Sequence, residues 1–309
     1  MTVVYRDDAQ AGHAALQTPG TRVSRTPVVV ALAFTAVGVA VASVLTTFLV
    51  VHAHHGVARF AARVIPVPAA VVDPSTSLGT GSRIVWYREV VERANVLEAL
   101  SDVPVNESMA RALMLAERSA IVDALADELH PRTLPLAEGE LEGERSADFA
   151  ALTTIAGWTQ RDAQRYAVDV YARDIAVEEA AFDDASLQAM ARARMESIQL
   201  KLQQGIAFAD LAAEYGEGDA VLTDGDIGYV DPESLPEELR TVAKSIAVDE
   251  VSSIVQTHRA FWIVKAEDVI ENDDGTRSVW LRVIEVKKDV LGDIVDERME
   301  TARVREFLR

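Results

Sequence analysis

A few residues have the types and spacing that chemistry needs. His52, His54 and His55 are grouped like metal ligands. They sit at the end of a long apolar run with no carboxylate nearby, and so read as interfacial histidines rather than a metal site. Gly79-Thr80-Gly81 has the small residues of a phosphate-cradling loop, but it lacks the lysine and the strand–loop–helix setting of one, and reads as a connector. Asp226 lies in Asp-Gly-Asp-Ile-Gly, residues 224–228. A general acid or base is conceivable there, but a carboxylate between glycines is better placed to accept backbone N–H groups and organise its loop. His130 and His258 have no catalytic partner adjacent in sequence and read as surface residues.

Composition removes other chemistries. The chain has 309 residues and no cysteine, so disulfides, thiol catalysis and Cys-based zinc sites are excluded. Its formal net charge of -19 argues against nucleic acid or acidic lipid headgroups as the main partner. Hydrophobic residues make up 49% of the chain, enough for real cores, and the wealth of Ala and Val favours helices with a smaller strand component.

Pro27 to Val51 is a 25-residue stretch without a charge. A helix crosses a hydrocarbon core of roughly 30 Å with about 20 apolar residues, so this run is expected to span a membrane. It is longer than the apolar core of a cleaved signal peptide, and no convincing small-x-small cleavage site follows. Arg6, Arg22 and Arg25 precede it while Arg59 and Arg63 follow, so positive charge does not orient it. Residues 1–26 read as a loose tail, and 52–82, with Pro66, Pro68, Pro74 and Ser75 to Ser82, as a connector.

Helical patterning starts near Ile84. Ala110, Leu113, Met114, Ile121 and Leu125 are expected on one face of a helix ending before Pro131. An acidic run from Glu138 to Glu144 reads as a solvated loop. Thr159 to Asp162 has the form of a capping start, opening a helix with Ala163, Tyr166, Ala167, Val170 and Tyr171 on one side. Leu187, Ala191, Met195, Ile198 and Leu202 mark the next helix, ended by Gly205. Beyond it the pattern becomes mixed: a short helix with Phe208, Leu211, Ala212 and Tyr215, a Gly/Asp-rich loop, and a helix over Glu237 to Ile246. Strands are expected over Phe261 to Val269 and Val279 to Val286, joined by a turn at Asn272 to Gly275. Val290 to Leu308 reads as one amphipathic helix.

The segment Gly205 to Asp268 resembles the parvulin family of peptidyl-prolyl isomerases. The resemblance is carried by GIAFADLAAEYGEG (Gly205 to Gly218), DGDIGYV (Asp224 to Val230), LPEEL (Leu235 to Leu239), DEVSSIVQT (Asp249 to Thr257) and FWIVKAEDV (Phe261 to Val269). Upstream, Arg63 to Val72, Ile84 to Leu100 and Gly157 to Asp174 are similar to the N-terminal helical region of SurA-type chaperones, and the whole resembles SurA/PrsA-type foldases. The family lowers the barrier to rotation about X–Pro bonds, about 18–20 kcal/mol for an amide. It uses an apolar proline pocket beside a polar cluster of two histidines, a Cys or Asp, and a Ser or Thr.

In this chain most of that cluster is replaced. The histidine of the family's last-strand motif falls at Trp262, and the Cys/Asp position falls at Gly218, flanked by Glu217 and Asp219. The first-strand motif is missing before Leu187. A similar string, RVIEVK (Arg282 to Lys287), stands near the C-terminus, with Val283 in the histidine's place. Thr257 stands at the hydroxyl position; it reads equally as a remnant of the site or as a strand-edge residue. Trp262 reads equally as a peptide-stacking residue or as core. The pocket is carried over as Ile227, Leu235, Leu239, Phe261 and Trp262. In the family the first and last strands are antiparallel neighbours, so a hairpin through Asp274-Gly275 would bring Val279 to Val286 into the vacant slot.

The resulting expectation is an α+β protein. It has a tail (1–26), a transmembrane helix (27–51), a connector (52–82), a SurA-like helical domain (83–185) and a parvulin-like domain (186–270). A C-terminal strand and helix (271–309) complete both domains. The resemblance implies a single-pass protein of the cytoplasmic membrane with its N-terminus inside and its domains outside. It also implies unfolded or proline-containing polypeptides as clients, and no cofactor or metal. Isomerase activity is expected to be weak or lost. The alternatives are a working isomerase, with Thr257 and Glu217 or Asp219 assisting, and a structural subunit of an envelope complex.

Overall fold

The computed structural model describes residues 66–74, 81–100, 103–132, 154, 159–272 and 276–307. The chain divides into two compact units, Met1–Val51 and His52–Arg309, and every described residue belongs to the second. The apolar run 27–51, the histidines 52–55, residues 79–80, the acidic loop 138–144 and the turn at 273–275 lie outside the described residues. Among the described residues no helix is long and apolar enough to cross a membrane.

The helical half begins with strands β1 (Pro68–Asp73) and β2 (Arg83–Trp86), then helices α1 (Tyr87–Leu100) and α2 (Val105–Leu129). The connector expected over 52–82 therefore contains a strand, and the helical pattern expected from Ile84 starts three residues later. The reason is local: Val71-Val72 and Ile84-Val85 are β-branched pairs that fit a pleated, half-buried surface. Ala70 and Val72 are fully buried and Val85 is 1% exposed. Helix α2 ends as expected before Pro131, with His130 in the left-handed region at φ 49°. Its buried stripe runs through Ala112, Leu113, Ala116, Ile121 and Leu125, while Ala110 and Met114 face out.

Helix α3 (Gln160–Ala163) leads through a π-helical turn at Gln164–Val168 into α4 (Asp169–Asp183), starting one residue after Thr159. The C-terminal end differs from expectation. In place of a single helix over 290–308, α8 (Leu291–Thr301) is followed by strand β7 (Arg303–Glu306). Strand β7 pairs antiparallel with β1, from Ala70↔Glu306 to Asp73↔Arg303, giving a sheet in the order β2-β1-β7. A free edge on β1 offers the last residues a ladder that helix continuation would not supply. Helix α8 does pack back on the helical half: Leu291, Ile294 and Val295 are buried, Asp296 meets Arg118, and Arg298 lies 3.6 Å from Glu128.

This closure brings Glu306 of β7 toward Glu117 of α2. Glu117 is 6% exposed, and its Oε1 has no hydrogen-bond partner. Burial, with the Glu306 charge adding to it, raises its carboxyl to about 7. The folded chain thus keeps a proton that the unfolded chain releases near the ordinary carboxylate value. Glu117's contribution to stability is full below the unfolded value and is lost as pH rises through about 7. Glu117→Gln is expected to raise the unfolding midpoint at about pH 8, on the order of 1–3 kcal/mol, and to change it little near pH 4. Denaturant titrations at the two pH values check this.

The second half carries α5 (Ala189–Gln203), α6 (Phe208–Tyr215), β3 (Asp226–Val230), α7 (Glu237–Ser245), β4 (Val255–Gln256), β5 (Ala260–Glu271) and β6 (Arg277–Lys287). The sheet order is β3-β6-β5-β4, antiparallel throughout. Strand β6 thus takes an inner position next to β5, as the hairpin reading expects. Their ladder runs from Ala260↔Lys287 to Glu271↔Arg277 with a bulge at Ala266/Asp268. Alternation sorts the side chains. Phe261, Ile263, Ile284 and Val286 face Ala191, Met195 and Ile198 of α5 and Phe208 and Leu211 of α6. Val264, Leu281 and Val283 face Leu239 and Ala243 of α7.

Candidate functional site

The α7 face of the sheet holds the positions to which the sequence resemblance carries the family's histidines. Val283 on β6 is 5% exposed and packs in the cluster with Val264, Leu239 and Leu281, with Leu235 and Trp262 partly buried against it. Val264 is its direct partner across the ladder, and Trp262 is the partner of Glu285 two residues on. Both histidine positions are therefore on one face, occupied by apolar bodies.

Thr257 closes the turn into β5. Its hydroxyl donates to the Ala260 carbonyl at 3.0 Å and accepts from the Ala260 N–H at 3.2 Å. The Trp262 indole N–H also reaches Thr257 Oγ1, at 3.3 Å. Thr257 and Trp262 thus form one polar contact at the rim of the apolar face. Gly218 lies in the loop between α6 and β3 at φ 82°, a conformation that L side chains rarely adopt. A Cβ there would stand 2.6 Å from Glu285 Oε2.

The expected peptide-contacting set divides. Leu235, Leu239 and Trp262 belong to the α7-side cluster. Phe261 does not: it is 2% exposed in the opposite core, because neighbouring residues of a strand point to opposite faces. Ile227 is 37% exposed on edge strand β3 and lies outside that cluster.

Asp226 organises its loop as expected. Oδ1 accepts from the Gly228 N–H at 2.9 Å and the Trp280 indole N–H at 2.7 Å, and Oδ2 lies 3.4 Å from Arg282. Burial alone would push its carboxyl up; the two hydrogen bonds and the Arg282 charge outweigh that and hold it below the usual carboxylate range. His258 pairs with Glu179 at 2.6 Å and stacks edge-on against Phe182 at 5.4 Å, which makes it a contact between the two halves. Among the described residues no group of three or more His, Asp or Glu could hold a metal ion.

One residue of this face was not singled out from the sequence. Glu285 alternates with Val283 on β6 and so lies on the same side, opposite Trp262. Burial pushes its carboxyl up, opposed by Lys287 and reinforced by Glu217 and Asp219. Once RVIEVK is placed in the first-strand slot, alternation alone locates this acid.

The family model described as a PPIC-type PPIASE domain, the rotamases, matches residues 175–268. The chain is 32% identical over 121 residues to "Chaperone SurA" of Pseudomonas aeruginosa, a match covering 37% of this chain and 28% of that protein. It is 28% identical over 110 residues to "Foldase protein PrsA" of Oceanobacillus iheyensis, covering 35% and 36%. The chain spans about a third of the length of these curated relatives. No solved structure matches it. Residues 175–268 thus match the PpiC-type peptidyl-prolyl isomerase domain family, in a chain similar to the SurA and PrsA folding factors.

Proposed function

We propose that this chain is a membrane-tethered, extracytoplasmic folding factor that binds unfolded or proline-containing segments, with weak or lost isomerase activity. One observation carries the reading: the apolar face survives while both histidine positions on it are Val283 and Trp262. Leu235 and Trp262, lying over Leu239 and Val283, are the surface that grips a client. Apolar contact needs no ATP or metal, whereas lowering a rotation barrier needs groups that respond as the amide loses its resonance. The tether is the apolar run 27–51, with the N-terminus in the cytoplasm.

The test uses the chain from Val57 to Arg309. It should suppress aggregation of an unfolded, proline-containing client at stoichiometric amounts, and Trp262→Ala with Leu235→Asp should remove most of that effect without unfolding the chain. Its prolyl isomerisation rate should be far below that of an active parvulin. Suppression unchanged by the double substitution would sink the assignment of the surface, and inactivity in both assays would favour a structural role. Carbonate extraction of cell membranes tests the tether: the full chain should stay in the pellet and a chain starting at Val57 should not.

A further inference from the structure

The space that an acid's side chain would fill at Gly218 is already taken. A Cβ on Gly218 would meet Glu285 Oε2 at 2.6 Å, with Lys287 Cε at 4.0 Å. Glycine at 218 therefore leaves room for a carboxyl group that comes from another element. That element is β6, the strand standing in for the family's first strand.

The carboxyl is held on rigid structure. The Glu217 N–H donates to the Glu285 carbonyl at 2.8 Å, the Lys287 N–H donates to Glu217 Oε2 at 2.7 Å, and the Val283 N–H donates to the Gly225 carbonyl at 2.8 Å. These bonds pin the loop 217–225 along β6. Strand alternation sets Glu285 on the face of Val283, directly across the ladder from Trp262, whose indole N–H reaches Thr257. Carboxyl, indole and hydroxyl thus follow one another along one strip beside the apolar face.

We propose that Glu285 is the acid of a rebuilt isomerase site, replacing from β6 the side chain that Gly218 lacks and acting on a prolyl imide seated against Trp262. This rests on reading that face as the client surface. Rotation about the C–N bond removes amide resonance and turns the nitrogen lone pair into a hydrogen-bond acceptor. A neutral Glu285 carboxyl donates to that lone pair, and no covalent bond is made or broken. The charged groups facing Glu285 are Glu217 and Asp219 from the loop and Lys287 from its own strand. Burial and the two acids favour the neutral form, against the pull of Lys287. The activity of the site is weak because a single donor remains where the family has several.

The experiment measures isomerisation of a proline-containing peptide by exchange NMR, with peptide binding followed in parallel, between about pH 5 and pH 8. Wild type, Glu285→Gln and Glu285→Ala are compared in the chain from Val57. Wild type should catalyse above the uncatalysed rate, less so as pH rises. Glu285→Ala should lose about tenfold or more in kcat/KM with peptide affinity within about twofold. Glu285→Gln, which keeps a donor at every pH, should retain part of the activity without the pH dependence. Full turnover in Glu285→Ala, or no turnover in a wild type that still binds peptide, overturns the proposal and leaves the folding-factor reading standing. A wild type that binds no peptide sinks both.

Discussion

A chain ended after Glu271 is expected to lose its four-stranded sheet, although it would keep every residue of the 175–268 family match. The missing piece is β6, which stands between β3 and β5 in the sheet. Its Val279, Leu281, Val283, Ile284 and Val286 are each at most 5% exposed and contribute to both cores. At about 1.5–3 kcal/mol per buried aliphatic side chain, their loss is on the order of 10 kcal/mol. That equals the whole stability of an ordinary domain, about 5–15 kcal/mol. Backbone groups of β3 and β5 that pair with β6 would also lose their partners. The truncated chain should show no cooperative unfolding of this unit in urea, and a peptide covering 276–309, added in trans, should restore part of the strand signal. A native midpoint in the truncated chain would mean that β6 is not an inner strand.

The parts of this fold that were legible in the sequence are those whose signal is local. The stripe Ala191, Met195, Ile198 repeats at helical spacing and is buried, and Gly205 at φ 87° ends that helix. The long hairpin strands carry enough β-branched residues to declare themselves. Strands β1 and β7 were not legible, because each is short and the ladder between them joins residues some 230 apart in the chain. Arg303-Val304-Arg305-Glu306 has no alternating apolar run; it extends a helical pattern equally well until β1 offers an edge. Phe261 failed as a pocket residue for the opposite reason: its type suits a pocket, but strand parity decides the face. The same parity rule would have found Glu285 from Val283, two positions away.

Gln188 and Lys288 carry the joint between the sheet and the helical half, and their substitution is the second large effect expected. Gln188 is 2% exposed and makes three bonds: Nε2 donates to the Ala181 carbonyl at 3.1 Å and the Asp289 carbonyl at 3.0 Å, and Oε1 accepts from the Asp289 N–H at 2.8 Å. Lys288, 3% exposed, donates from Nζ to the Phe182 carbonyl at 2.7 Å, in the last turn of α4. A cation suits that end of a helix, which offsets part of the burial that pushes its pKa down. Gln188→Leu keeps the volume but strands the N–H and carbonyl of Asp289, each costing about 1–3 kcal/mol when buried without a partner, while the Ala181 carbonyl keeps the Asp184 N–H at 3.2 Å. The expected loss is about 2–4 kcal/mol. Lys288→Met strands one carbonyl and also removes a desolvated charge, so its loss should be smaller, about 1–2 kcal/mol. Both residues hold the Lys288-Asp289 crossover, so the double variant should lose less than the sum. Urea unfolding followed by Trp fluorescence and by circular dichroism reads the result. Coincident transitions in wild type should separate in Gln188→Leu, because this crossover carries the chain from the sheet to α8 and β7, which pack on the helical half. An unchanged midpoint with both probes coincident would show that α8 docking and contacts such as His258 with Glu179 join the two halves without this crossover.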